Sequence, residues 1–211
     1  LTSDTTLTSS LNPSSVGDAV TFTATVTPQG TGVPAGTVTF NDGATAICSN
    51  VALDGSAQAT CTTSSLSTAS HLMTAVYAGN ASFTTSTSVA VSQIVNKGNT
   101  TTAVTSSANP SNFAQSVTFS ATVSATAPAA GTPSGTVTFK DGATTVCGPV
   151  ALVAAAATCA TSTLTVGSHS ITVDYAGDTN YNTSTSPALN QVINKTDTTN
   201  ALAVAPVSPT V

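Results

Sequence analysis

The chain has 211 residues, and only 5% of them are charged: three lysines and eight aspartates, with no arginine and no glutamate. An ordinary soluble domain carries about 25%. The net charge of −5 and the lack of any basic cluster exclude a nucleic-acid surface and a basic membrane-surface helix, and no segment has the apolar length needed for membrane insertion.

Hydrophobic residues nevertheless reach 40%. Valine, alanine and threonine dominate, and threonine fills the positions that charges usually take, so the composition is that of β-strands. In chain order, "VTFTATV" alternates strictly, with Val20, Phe22, Ala24 and Val26 on one face and threonines on the other. "TVTF" continues with Val38 and Phe40, and "NDG" follows at once; Asp-Gly is a hairpin turn signal. Next come Val51 and Leu53, then an alanine- and threonine-rich strand around Cys61. "HLMTAVY" places Met73, Ala75 and Tyr77 on one face, and a last strand runs through Val91 and Val95. No stretch reads as a helix.

The same order then recurs. "LNPSSVGDAVTFTATV" (11–26) matches "ANPSNFAQSVTFSATV" (108–123), "PAGTVTFNDGATAIC" (34–48) matches "PSGTVTFKDGATTVC" (133–147), and "SQIVNK" (92–97) matches "NQVINK" (190–195). The displacement stays between 97 and 99 residues, so the chain holds two copies of one unit. The expected domains are 1–97 and 98–195, with a tail at 196–211. About seven short strands per copy, apolar on one face and polar on the other, predict an all-β protein of two tandem immunoglobulin-like β-sandwiches.

On "GTVTFNDG" (36–43), "GTVTFKDG" (135–142), "VYAGNASF", "DYAGDTNY" and the "NPS" near each start, the chain resembles the bacterial Ig-like domain repeats of large surface and secreted proteins. The resemblance covers both copies. It implies a non-catalytic structural module of an extracellular fibre, stalk or adhesin, located outside the cell or at its surface. Its partners would be neighbouring Ig-like repeats or identical subunits. A pair of cysteines in each copy departs from the general pattern of those repeats.

Cys48 and Cys61 lie in the first copy, Cys147 and Cys159 in the second, and there are no others. Two cysteines recurring at matched positions predict one disulfide per domain and an oxidising compartment. The competing reading is a metal site completed by His71 or His169. It lacks a C-x-x-C pair and a fourth ligand, so neither a metal nor a cofactor is expected. The two histidines are expected as half-exposed strand residues.

"VDYAGDTNYNTSTS" (173–186) raises a different question, because Asp174, Asp178 and Asn180 surround a glycine as calcium ligands do. The first copy has Val76, Asn80 and Ser82 there, while Tyr77/Tyr175, Gly79/Gly177 and the ring at Phe83/Tyr181 are kept. A shared tyrosine, glycine and ring describe a packed strand and a tight turn, so a turn is expected and not a cation site.

No acid, base and nucleophile constellation is visible, so no catalytic residue is named. A lysine–asparagine isopeptide link is not expected, since Lys140 has Asn41 as its counterpart. Asn80, Asn99, Asn182 and Asn194 open N-x-S/T sequons. The alternative function is a module that binds a carbohydrate or host protein through end loops, for which Tyr181, with Phe83 as its counterpart, is the candidate ligand contact. Finally, the tail from 196 resembles the first strand of a further repeat, and strand addition to a neighbour is one expected use of it.

Overall fold

The computed structural model describes residues 1–200. Among the described residues there are eighteen β-strands and no helix. Nine strands belong to each copy. In the first, β1 (Ser3–Ser9), β3 (Val20–Pro28) and β6 (Gln58–Thr63) form one antiparallel sheet in the order β1-β3-β6. The second sheet has the order β2-β9-β7-β4-β5, built from β2 (Ser14–Ser15), β9 (Val91–Asn96), β7 (Ser70–Tyr77), β4 (Thr37–Asp42) and β5 (Thr45–Ala52), with β8 (Ser86–Thr87) added on β7. The second copy, β10 (Thr100–Ser106) to β18 (Leu189–Asn194), repeats both sheets strand for strand. The expected seven strands are thus the long ones, and two two-residue strands are added to each domain.

Alternation explains the core. Val20, Phe22, Ala24 and Val26 point inward between the sheets, against Val38, Phe40, Met73 and Tyr77. The second domain buries Phe119, Phe139, Ile171 and Tyr175 in the same places. On the outward face, hydroxyls pair across strands, as Thr21 does with Thr62 at 2.8 Å. Threonine therefore supplies both β propensity and surface polarity where charges are scarce.

The Asp-Gly signal marks a hairpin, but the turn sits one residue later than the dipeptide. Asp42 pairs with Thr45 as the last residue of β4, and Gly43-Ala44 forms the two-residue loop. Gly43 has φ +55°, the left-handed value that the mirror-image turns of hairpins place at that position. This register leaves the Asp42 carboxylate free for another task.

Each disulfide joins the two sheets. Cys48 on β5 bonds to Cys61 on β6, and Cys147 to Cys159 in the second domain, with Cα atoms 6.0 Å apart in each pair. Cys48 lies opposite Phe40 and Cys61 opposite Phe22, so the bridge flanks the two rings of the core.

Asn12 explains the "NPS" motif. Its side-chain Nδ2 donates to Ser92 O at 2.7 Å, and its Oδ1 accepts from Ile94 N at 3.0 Å. The amide thus extends the β9 ladder where the chain crosses from β1 to β2, and Asn109 does the same on β18. Residues 195–200 belong to no strand. The expected further strand falls on the tail, of which residues 201–211 lie outside the described residues.

Candidate interaction surface at the joint between repeats

Strand β9 ends at Asn96 and β10 begins at Thr100, which leaves Lys97, Gly98 and Asn99 as the joint. The joint is not a free linker. Gly98 N donates to Asn180 O and Asn182 N donates to Gly98 O, both at 2.8 Å, so the residue is laddered onto the turn that follows β16 (Gly167–Tyr175). Lys97 Nζ donates to Asp178 O at 2.5 Å, and Thr68 Oγ1 to Asn180 Oδ1 at 3.3 Å. Val16, from the first domain, packs against the core of the second.

Two glycines make this approach feasible. A Cβ at Gly98 would lie 2.4 Å from the Ala129 Cβ and 3.2 Å from Val16 Cγ1. One at Gly17, whose φ is +89°, would lie 2.7 Å from Ala130 N. Both contacts are shorter than carbon allows, so any larger residue pushes the domains apart.

The turn that receives the joint is the Asp178 stretch. Asp178 Oδ1 accepts from the N–H groups of Asn180 and Tyr181, both at 2.8 Å, and Oδ2 accepts from Ser134 N at 2.8 Å and Ser134 Oγ at 2.6 Å. Burial alone would push this carboxyl up; the Ser134 hydroxyl and the three N–H groups outweigh it and hold the group below its ordinary value. Asn80 Oδ1 in the first domain accepts from Ser82 N and Phe83 N in the same manner. This is an Asx turn, which asparagine and aspartate serve equally. Asp174 is occupied as well: it pairs with Lys140 at 2.6 Å and accepts from Thr185, contacts that lower its pKa. Asp178 also raises the hydroxyl of Tyr175, which burial first and that charge second push up to about 12. This buried hydroxyl has no hydrogen-bond partner, whereas Tyr77 donates to Ala35 O at 2.7 Å.

Tyr181 requires a correction. Expected as a loop ring open to a ligand, it is buried at 4% exposure, and its hydroxyl donates to Ala130 O at 2.6 Å. The joint covers the ring, with Gly98 bridging to it. The end-loop binding reading loses the aromatic on which it stood.

The histidines also differ from expectation. His71 is buried, with Nδ1 2.6 Å from Asp42 Oδ2 and Nε2 2.8 Å from Ser67 O. His169 repeats this with Asp141 at 2.6 Å and Thr165 O at 2.7 Å. Two acceptors on one ring are satisfied together only by the imidazolium, which donates from both nitrogens. Burial opposes the charge, but the loop carbonyl and the aspartate outweigh it and raise both pKa values above 6.5. The signal was present in the sequence as the matched pairs Asp42/His71 and Asp141/His169, about 28 residues apart.

The linkage has a definite sign. A histidine raised in the folded state contributes stability that is fully present below the unfolded value of 6.5 and is lost as pH rises through the folded value. The lowered Asp174 and Asp178 contribute above 3.8 and lose that contribution as pH falls through their folded values. Thermal melting should therefore show a plateau between these limits, with a decline on the alkaline side. Replacing His71 and His169 by glutamine should flatten that decline; a slope unchanged in the double variant would disprove the assignment.

Buried Gln93 and Gln191, both at 0% exposure, were missed by sequence reading. Gln93 Oε1 accepts from Ser9 Oγ at 2.6 Å, and Nε2 donates to Leu11 O at 2.9 Å and Ser14 Oγ at 3.2 Å. Gln191 makes the equivalent bonds to Ser106, Ala108 and Ser111. Each amide fixes the crossover from the first strand to the second.

A family model described as bacterial Ig-like domain (group 3) matches residues 7–96 and again residues 104–194. No curated protein matches the sequence. Among solved structures, the chain is similar to the fibronectin(III)-like modules of CbhA from Clostridium thermocellum, at 16% identity and TM-score 0.39, covering 93% of this chain and 100% of that one. It is similar to the adhesin InvE of Yersinia pseudotuberculosis at 16% identity and TM-score 0.41, over 86% of this chain and 58% of that one. A third is the highly immunogenic outer capsid protein of bacteriophage RB49, at 14% identity and TM-score 0.37, over 90% of this chain and 59% of the three-domain fragment.

Proposed function

Because the chain belongs to the bacterial Ig-like domain family (group 3), matched twice in tandem, we propose that it is a non-catalytic structural module of an extracellular fibre, stalk or adhesin. Its working units are residues 1–97 and 98–195, and its partners are neighbouring repeats or identical subunits. One observation carries this reading: the joint is built as a packed, hydrogen-bonded contact, with Gly98 laddered onto the Asn180–Asn182 turn and Val16 set into the next core. A spacer needs such a joint, since bending between modules shortens reach. The two disulfides support a location outside the cell or at its surface, where such bonds persist.

The test is backbone relaxation by NMR together with small-angle scattering. The two domains should tumble as one elongated body. Gly98→Val should release them into independent tumbling while each keeps its own fold. Independent tumbling in the unaltered chain would overturn the spacer reading.

A further inference from the structure

Three aspartates in the chain precede a glycine, Asp42, Asp54 and Asp141, and the fold treats them differently. Asp42 and Asp141 are the last residues of β4 and of β13 (Thr136–Asp141). Their carboxylates are held by His71 and His169, each at 2.6 Å. The amide that follows is held as well: Gly43 N donates to Leu72 O at 2.9 Å and Gly142 N to Ser170 O at 3.0 Å. At these two sites neither the acid nor the neighbouring nitrogen is free to react with the other.

Asp54 and Gly55 lie in the connection between β5 and β6, where the second copy has Val153 and Ala154. Both are exposed. Among the described residues, the Gly55 N–H donates to no group. A Cβ added at Gly55 would meet nothing within 4 Å, so no neighbour crowds the residue. Asp54 Oδ1 accepts from Ser56 N at 2.8 Å and from Gln58 N at 2.9 Å. The first of these bonds folds the carboxyl back along the Gly55 peptide, as in an Asx turn. Together the two N–H groups point at the oxygen on which negative charge grows when Cγ is attacked, which is how backbone amides stabilise a tetrahedral intermediate. Oδ2 carries no hydrogen bond among the described residues and is the oxygen left to depart.

We propose that Asp54–Gly55 is a site of spontaneous backbone modification, at which the folded protein converts aspartate to isoaspartate while protecting the other two Asp-Gly pairs. The Gly55 nitrogen attacks the protonated Asp54 carboxyl at Cγ. A C–N bond forms, the Cγ–Oδ2 bond breaks, and the amide and carboxyl protons leave with Oδ2 as water, which gives a cyclic succinimide. Water then reopens the ring. Opening at Cγ–N restores aspartate; opening at the original peptide bond leaves the main chain running through Cβ and Cγ, one methylene longer, with the carboxylate now on Cα. No oxidant, reductant or second enzyme is needed. The change cancels the Asx turn and disturbs the bonds from Asp54 N to Gln58 O and from Ala57 N to Asp54 O. It stays local, because the connection lies inside the loop closed by Cys48–Cys61. The inference is independent of the spacer reading.

The test is prolonged incubation of the whole folded chain at mildly acidic pH and body temperature, followed by peptide mapping. Electron-transfer fragmentation separates isoaspartyl from aspartyl peptides, and the succinimide appears as a peptide lighter by one water. Isoaspartate and succinimide should accumulate at Asp54 at least about tenfold faster than at Asp42 or Asp141. In the reduced chain held unfolded by denaturant, the three sites should react at similar rates, which assigns the selectivity to the fold. Gly55→Ala places a methyl beside the attacking nitrogen without a clash and should slow the reaction at Asp54 about tenfold, with circular dichroism checking that the variant is folded. Equal reaction at the three sites of the folded chain overturns the inference. So does an Asp54 that stays unmodified while the unfolded chain reacts, the same preference for Asp54 in the unfolded chain, or an unchanged rate in Gly55→Ala.

Discussion

Removing Cys48–Cys61 and Cys147–Cys159, by reduction or by paired alanine substitution, is expected to lower the melting temperature by roughly 15 °C. Sequence separations of 13 and 12 residues define the loops that these bonds close. A loop of that length restricts the unfolded chain by about 3 kcal/mol per bond in the chain-entropy model. The native state loses as well, because each bridge ties the edge strand of one sheet to that of the other beside two core rings. Antibody domains place their bridge between the second and sixth strands over a tryptophan. This chain has no tryptophan, and its bridge sits at the sheet edges. Peptide mapping without reductant checks the pairing, and calorimetry with and without reductant checks the effect. Free thiols in the denatured, unreduced protein, or a shift below about 3 °C, would refute the account.

Gln93→Leu should cost about 3 kcal/mol, and Gln191→Leu a similar amount. Leucine is close to glutamine in size, so no large cavity confuses the comparison. What remains is the buried Ser14 Oγ without a partner, while Ser9 Oγ and Leu11 O, 3.3 Å apart, keep only each other. A buried polar group left unpaired costs roughly 1–3 kcal/mol. The loss falls on the crossover between β1 and β2, so hydrogen exchange in residues 9–15 should rise more than elsewhere. Denaturant unfolding gives the energy. A change under about 0.5 kcal/mol would mean that water replaces the amide and that the crossover is held by other contacts.

Much of the architecture was legible because its signals are local. The alternation of Val20, Phe22, Ala24 and Val26 identifies a strand within seven residues, and the self-match at 97–99 residues counts the domains. The Asp-Gly dipeptide located the hairpin but not its register. Asp42 was read as part of the turn, whereas it closes the strand and holds His71. The turn at Asp178 is legible in the sequence because the first copy keeps the glycine and the ring while exchanging the carboxylate for Asn80.

The sequence by itself determined which residues form strands, which face of each is apolar, and that one unit occurs twice. These follow from a period of two and from turn chemistry, which need only neighbours in the chain. The tertiary structure alone decided the partners of isolated polar groups. Gln93 meets residues 79 to 84 positions away, and Thr68 reaches Asn180 across 112. Tyr181 looks like an exposed loop ring until Gly98 and Gly131 close on it. Hydrogen bonding and contact at such separations depend on how the two sheets and the two domains are set against one another, and no local pattern encodes that placement.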